Sequence, residues 1–160
     1  MSFPIPTGSY VVMNAMTHTY LNLLTFNPVP GAIVCSVGNR LGNDIVRLPH
    51  THRKPSLISQ WNVATTESTG LTIQSFGTGA FVSYEDYAGV VTSDSIYSWT
   101  LEQNNAVPYA WNIVDNSTGA ALAVEGNSTA NGAPVIIAVE TSGASQAWFF
   151  IAKVPIPGTN

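Results

Sequence analysis

Ser59-Gln60-Trp61-Asn62-Val63, Tyr97-Ser98-Trp99-Thr100-Leu101 and Gln146-Ala147-Trp148-Phe149-Phe150 set three tryptophans in closely similar surroundings. Each closes a segment with the same internal order. The first segment runs Gly8-Ser9-Tyr10-Val11-Val12-Met13-Asn14, Tyr20-Leu21-Asn22-Leu23, Ala32-Ile33-Val34-Cys35, then Trp61. The second runs Leu71-Thr72-Ile73-Gln74, Ala80-Phe81-Val82-Ser83, Gly89-Val90-Val91-Thr92, then Trp99. The third runs Trp111-Asn112-Ile113-Val114-Asp115, Ala121-Leu122-Ala123-Val124, Pro134-Val135-Ile136-Ile137, then Trp148. Gly, Pro, Asn, Asp and Ser separate the runs, so each segment reads as four short strands joined by turns.

Three copies of four strands, with no helical stretch between them, predict an all-β chain of twelve strands rather than a parallel α/β sheet. One aromatic plug per copy favours a β-trefoil, because three plugs meeting at one end fill a small barrel. The expected organisation is a single domain over 1–160, with three pseudo-symmetric repeats near 8–63, 64–101 and 108–150. Trp61, Trp99 and Trp148 are read as core. Trp111 falls outside that triad, in the first strand of the third copy.

Composition agrees. Hydrophobic residues make up 45% of the 160 residues and charged residues only 9%. That excludes a chain disordered by composition and disfavours exposed helix faces, which carry Lys, Glu and Arg. A net charge of −4 excludes the basic excess of a nucleic-acid binder. No run of 18 apolar residues occurs, so no membrane helix is expected. Met1-Ser2-Phe3-Pro4-Ile5-Pro6 lacks the pattern of a secretory signal. Cys35 is the only cysteine, so no internal disulfide forms. These features place the expected site of synthesis in the cytoplasm.

Enzyme chemistry finds no footing, and the chain is read as a non-enzyme. Cys35 follows Ala32-Ile33-Val34 in an apolar strand, the setting of an inert buried thiol. No Gly-x-Ser-x-Gly elbow, phosphate loop or dinucleotide fingerprint is present. His50 and His52 lack a third ligand at a metal-site spacing, so they are read as polar loop residues. No cofactor and no metal are expected.

Two loops carry the remaining information. Residues 37–57 form a long insertion before Trp61 that holds Arg40, Arg47, Arg53 and Lys54, four of the five basic residues. It is read either as a solvated loop or as a patch for an acidic partner or protease pocket. Leu24-Thr25-Phe26-Asn27-Pro28-Val29-Pro30-Gly31 joins the second and third strands. Its two prolines fix φ and push Asn27 and Val29 to extended geometry, giving a stiff, exposed loop. A pre-ordered loop loses little entropy on binding, as a substrate-like inhibitor requires. A Pro-rich turn with no partner is the alternative reading of the same residues.

The tryptophan-terminated segments resemble the ricin B-type β-trefoils, whose repeats end in Gln-x-Trp. Gln146-Ala147-Trp148 keeps that motif, and the other two copies keep only the tryptophan. The resemblance spans about Gly8 to Phe150 and is strongest to the mushroom branch, which holds lectins and protease inhibitors. For the lectins it implies an Asp on the second strand and a stacking aromatic on the third. The matching positions are Asn22, Val82 and Ala123, then Ser36, Ser93 and Ala138, and no copy keeps the pair. A rearranged carbohydrate site around Tyr84, Asp86 and Tyr97, or Asn22, stays open. The chain looks closer to the mushroom serine protease inhibitors of the cospin and cnispin type. That resemblance implies inhibition of trypsin-like proteases through the loop between strands two and three, in a defence role. The implied reactive residue is Asn27, flanked by Phe26, Pro28 and Val29. An uncharged Asn fits trypsin's acidic pocket poorly, which keeps the basic insertion, and an asparagine-specific cysteine protease as target, in play.

Overall fold

A computed structural model of the chain describes residues 5–24, 31, 34–38, 60–66 and 70–153. Twelve strands appear in these residues: β1 Gly8–Asn14, β2 Tyr20–Leu23, β3 Val34–Val37, β4 Trp61–Thr66, β5 Gly70–Ser75, β6 Phe81–Glu85, β7 Gly89–Ser93, β8 Trp99–Gln103, β9 Trp111–Asp115, β10 Ala121–Val124, β11 Ala133–Ala138 and β12 Trp148–Ala152. Short 3-10 turns at Glu125–Asn127 and Ala144–Gln146 interrupt the third repeat.

The pairing is antiparallel throughout. Strands β1, β4, β5, β8, β9 and β12 pair in a closed ring, β1 with β4, β4 with β5, β5 with β8, β8 with β9, β9 with β12, and β12 with β1. Closure leaves the ring no free edge. The remaining strands form three hairpins, β2–β3, β6–β7 and β10–β11, one per repeat. A six-stranded ring with three hairpins beneath it is the β-trefoil. The tryptophan of each repeat opens the fourth strand rather than ending it, so the repeats run on to Thr66, Gln103 and Ala152.

The core follows the repeat layer by layer. Trp61, Trp99 and Trp148 are all 0% exposed. Each indole N–H donates to a backbone carbonyl on the second strand of its own repeat: Trp61 to Leu21 at 3.1 Å, Trp99 to Val82 at 3.0 Å, and Trp148 to Leu122 at 2.9 Å. Val12, Ile73 and Ile113 form an equivalent buried layer on the first strands. The indoles thus fill the barrel without leaving a buried donor unpaired, which would cost about 1–3 kcal/mol each. Cys35 is buried on β3, and burial pushes its thiol up to about 11, as expected of an inert cysteine.

The turn between first and second strands also repeats, in a way its sequence hides. Asn14, Ser75 and Asp115 each end a first strand and offer a side-chain oxygen to the turn that follows. Asn14 Oδ1 accepts from the N–H of Thr17 at 3.1 Å, Ser75 Oγ from that of Thr78 at 3.2 Å, and Asp115 Oδ2 from that of Thr118 at 2.9 Å. The residue that closes each turn has positive φ: His18 at 55°, Gly79 at 76° and Gly119 at 73°. Gly70 is constrained differently. Its φ is 67°, and a Cβ there would sit 2.9 Å from the Trp99 carbonyl oxygen, so only glycine lets β5 approach β8.

Trp99→Ala is expected to destabilise the fold by about 3–5 kcal/mol. Trp99→Phe keeps most of the ring but orphans the Val82 carbonyl, and should cost about 1–3 kcal/mol. Urea unfolding of the two variants beside the wild type measures both. A loss below about 0.5 kcal/mol for the alanine variant would contradict the plug role.

Candidate functional site

The β2–β3 connection is the first candidate. Phe26, Asn27, Pro28 and Val29 lie outside the described residues, as do Arg40, Arg47, Arg53, Lys54, His50 and His52. The frame that carries the connection is described. Leu23 pairs with Val34 where the hairpin opens, and Tyr20 pairs with Val37 at its far end. Gly31, with φ of 89°, donates its N–H to the Thr92 carbonyl of β7 at 2.7 Å. The descending limb is thereby tied to the second repeat as well as to its own hairpin. Leu24, on the ascending limb, is about half exposed and lies against Gly132 of the third repeat. The connection therefore springs from a base that touches all three repeats.

The second candidate is the set of repeat positions that the lectin resemblance singles out. The tryptophan hydrogen bonds fix their register, because Leu21, Val82 and Leu122 are the equivalent acceptors. Val82 is therefore the partner of Leu21, and Ser83 is the counterpart of Asn22 and Ala123, a one-residue correction to the sequence alignment of the second repeat. On the third strands, Leu21 pairs with Ser36, Val82 with Thr92 and Leu122 with Ile137. Thr92 and Ile137, not Ser93 and Ala138, are thus the counterparts of Ser36.

The polar side chains at these positions are buried, so none is presented at the surface to a sugar. Asn22 is 5% exposed and its Oδ1 accepts the N–H of Leu23 at 2.8 Å. Ser83 is buried and its hydroxyl donates to the Val91 carbonyl at 3.1 Å. Ala123 has no polar side chain. Ser36 is fully buried, with a hydroxyl that makes no hydrogen bond among the described residues.

Tyr84, Asp86 and Tyr97 are only partly brought together. Tyr84 and Tyr97 both pack against the core, and Tyr97 lies 5.2 Å from the ring of Trp99. Asp86 is exposed in the β6–β7 turn and makes no hydrogen bond or ion pair among the described residues. Tyr97 is already committed, since its hydroxyl donates to Asp115. Burial, then the carboxylate beside it, pushes the Tyr97 phenol up to about 12. Burial opposes ionisation of Asp115, but hydrogen bonds from Tyr97, Ser117 and Thr118 outweigh it and hold the carboxyl below the usual range. This cluster locks the third repeat's turn to the second repeat and is structural. No group of three or more metal-ligating side chains occurs among the described residues.

Two features escaped the sequence reading. One is a polar cleft of about 280 Å³ between the β8–β9 hairpin and the β11–β12 connection, where Glu102 and Glu140 face each other. The Glu140 carboxyl beside it, followed by burial, raises Glu102. The other is an aromatic cleft of about 250 Å³ around Tyr109 and Trp111. The second pairs residues from opposite ends of the chain, which no local pattern signals.

Comparison with known proteins identifies the fold. No family model matches the sequence, and no curated protein matches it. Solved structures do. The designed threefold-symmetric protein ThreeFoil matches with a TM-score of 0.71 at 19% identity, over 91% of this chain and 99% of that one. The Rhizoctonia solani agglutinin matches at 0.74 and 19%, over 96% and 100%. The Macrolepiota procera ricin B-like lectin, solved with lactose, matches at 0.75 and 16%, over 96% and 100%. The chain is a β-trefoil similar to ricin B-like proteins.

The Tyr97–Asp115 pair sets an expected pH profile. Asp115 is depressed, so its contribution is complete above the ordinary carboxylate value near 4 and fades as pH falls through its folded value. Tyr97 is raised, so its contribution is complete below about 10 and is lost as pH climbs toward about 12. Tyr97→Phe should flatten the alkaline limb of a melting-temperature profile. An unchanged alkaline limb would rule the pair out as its source.

Proposed function

We propose that the chain is a non-enzymatic binding protein that blocks trypsin-like serine proteases. In this reading the β2–β3 connection enters the active site and Asn27 occupies the specificity pocket. The observation that carries it is the anchoring of both limbs of that connection, Leu23 to Val34 and Gly31 to Thr92. The sequence between the anchors holds two prolines, whose rings restrict φ. An inhibitor that binds as a substrate gains affinity when its loop is ordered beforehand. Pro28 follows the reactive residue, so the bond there is a tertiary amide with no N–H and a crowded leaving-group side. In this reading the protein is made in the cytoplasm and released on ingestion, in a defence role.

The comparisons favour a second reading, carbohydrate binding. Similar structures carry the names agglutinin and ricin B-like lectin, one of them with lactose. Against it stand Asn22, Ser83 and Ala123, whose side chains are buried and either internally bonded or apolar. A sugar hydroxyl finds no free acceptor at those positions.

Trypsin titrated with the purified protein, beside a glycan array, separates the two. Under the first reading inhibition is tight and Asn27→Ala weakens it at least ~30-fold, the loss of about 2 kcal/mol typical of a central contact. Joint replacement of Arg40, Arg47, Arg53 and Lys54 should change it far less, mainly through slower association. Normal inhibition by Asn27→Ala with loss in the basic-loop variant would move the reactive site to that insertion. Glycan binding without trypsin inhibition would establish the second reading.

A further inference from the structure

Two glycines tie hairpins of different repeats together by one device. Gly132, with φ of 87°, donates its N–H to the Ser36 carbonyl at 2.8 Å, from the third repeat to the first. Gly31, with φ of 89°, donates its N–H to the Thr92 carbonyl at 2.7 Å, from the first repeat to the second. The two acceptors are equivalent, since Ser36 pairs with Leu21 and Thr92 with Val82, the residues whose carbonyls receive the Trp61 and Trp99 indoles. The second repeat closes its hairpin differently. Gly89 faces Glu85 across a tight turn, and the Ala88 N–H donates to the Glu85 carbonyl at 3.1 Å.

The two bonds differ in what stands beside them. Next to Gly132, Ala133 pairs with Ser36, Pro134 pairs with Cys35, and Asn131 Oδ1 accepts the Gly38 N–H at 2.7 Å. No such ladder joins β3 to β7 among the described residues. The direction of the chain at Gly31 therefore depends on its own backbone conformation. A Cβ on Gly31 would meet nothing within 4 Å, so the position has room for a side chain. What it demands is the positive φ, which alanine adopts at a cost and asparagine tolerates.

We propose that Gly31 is a positioning residue for protease inhibition: its left-handed backbone aims its N–H at the Thr92 carbonyl and thereby sets the pose in which Asn27 meets the enzyme. The inference rests on the protease reading above and adds to it a residue that acts through Asn27 rather than by contact with the specificity pocket. Asn27 precedes Gly31 by only four residues, so the direction of the chain at Gly31 bears directly on it. A limb bonded across repeats takes its orientation from the barrel. Its ordering entropy is then lost on folding and not on binding, which lowers the cost of association.

The test measures trypsin inhibition, with association and dissociation rates, for the full-length wild type, Gly31→Ala, Gly31→Asn, Asn27→Ala and the Gly31→Ala/Asn27→Ala double variant. Hydrogen exchange of the residue-31 amide is followed by NMR beside it. The wild-type amide should exchange slowly. Gly31→Ala should deprotect it and weaken inhibition about tenfold, mostly through faster dissociation, with the melting temperature unchanged. Gly31→Asn should recover most of that loss. In the Asn27→Ala background, Gly31→Ala should cost less than about twofold, because a positioning residue then has nothing to position. A wild-type protein that leaves trypsin active overturns the protease reading and this inference with it. Where the wild type inhibits, three results overturn this inference alone: rapid exchange of its residue-31 amide, inhibition by Gly31→Ala within about twofold of the wild type, or Gly31→Asn as weak as Gly31→Ala. Full additivity of Gly31→Ala with Asn27→Ala assigns Gly31 a contact of its own and overturns it as well.

Discussion

The hydrogen bond from each plug tryptophan to the second strand of its own repeat is the constraint on which the rest of this fold depends. A six-stranded ring encloses space that only large side chains fill. Indoles fill it, but an indole carries an N–H that must be satisfied once water is gone. Leu21, Val82 and Leu122 supply carbonyls to Trp61, Trp99 and Trp148, so each hairpin is tied to the strand that opens 17 to 40 residues later. The bond also sets which second-strand residues face the core. With Leu21, Val82 and Leu122 turned inward, their neighbours Asn22, Ser83 and Ala123 fall at the position a lectin would use. Nothing in the plug's chemistry requires a particular side chain there. The scaffold can therefore keep its stability while the residues at that position change.

Much of the architecture was legible because it is repeated. Four β-type runs closed by a tryptophan, three times over, carry the strand count, the barrel and the core plugs. Register was less legible. In the second repeat, Phe81-Val82-Ser83 alternates too weakly to say which residue faces inward, since both Val82 and Ser83 end up buried. Only the Trp99 hydrogen bond decides it. The turns show the same limit. Asn14, Ser75 and Asp115 perform one task with three chemistries, because any short side-chain oxygen can accept the N–H groups of a tight turn. Three different letters conceal one structural position. The polar and aromatic clefts were invisible in the sequence for a further reason: their walls come from strands that meet only after the ring closes.

The three repeats share a core but diverge in their connections. Between third and fourth strands the chain uses residues 38–60 in the first repeat, 94–98 in the second and 139–147 in the third. Long surface connections are cheap, since closure entropy grows slowly with length. The first repeat has absorbed both its long connection and the Pro-rich β2–β3 segment. The third has instead turned Asn104 and Asn112 into a buried amide pair, bonded at 2.8 Å, that supports Glu140 and the residues after it. Threefold symmetry is therefore preserved where the indoles demand it and abandoned where the chain meets solvent.

That division bears on what kind of recognition the fold can host. A site made of equivalent repeat positions comes in three weak copies and gains strength from multivalency. A site made from one divergent connection, or from residues unique to one repeat, occurs once and must hold its partner by shape and rigidity. Here the side chains at the equivalent second-strand positions are buried, whereas the anchored β2–β3 connection and the strained Tyr109 each occur once. Tyr109 makes the point energetically. A glycine would relieve its backbone, and β5 opens on one, Gly70 with φ of 67°. A left-handed residue at the start of a first strand is thus met by glycine in the second repeat and by a strained, exposed tyrosine just before the third.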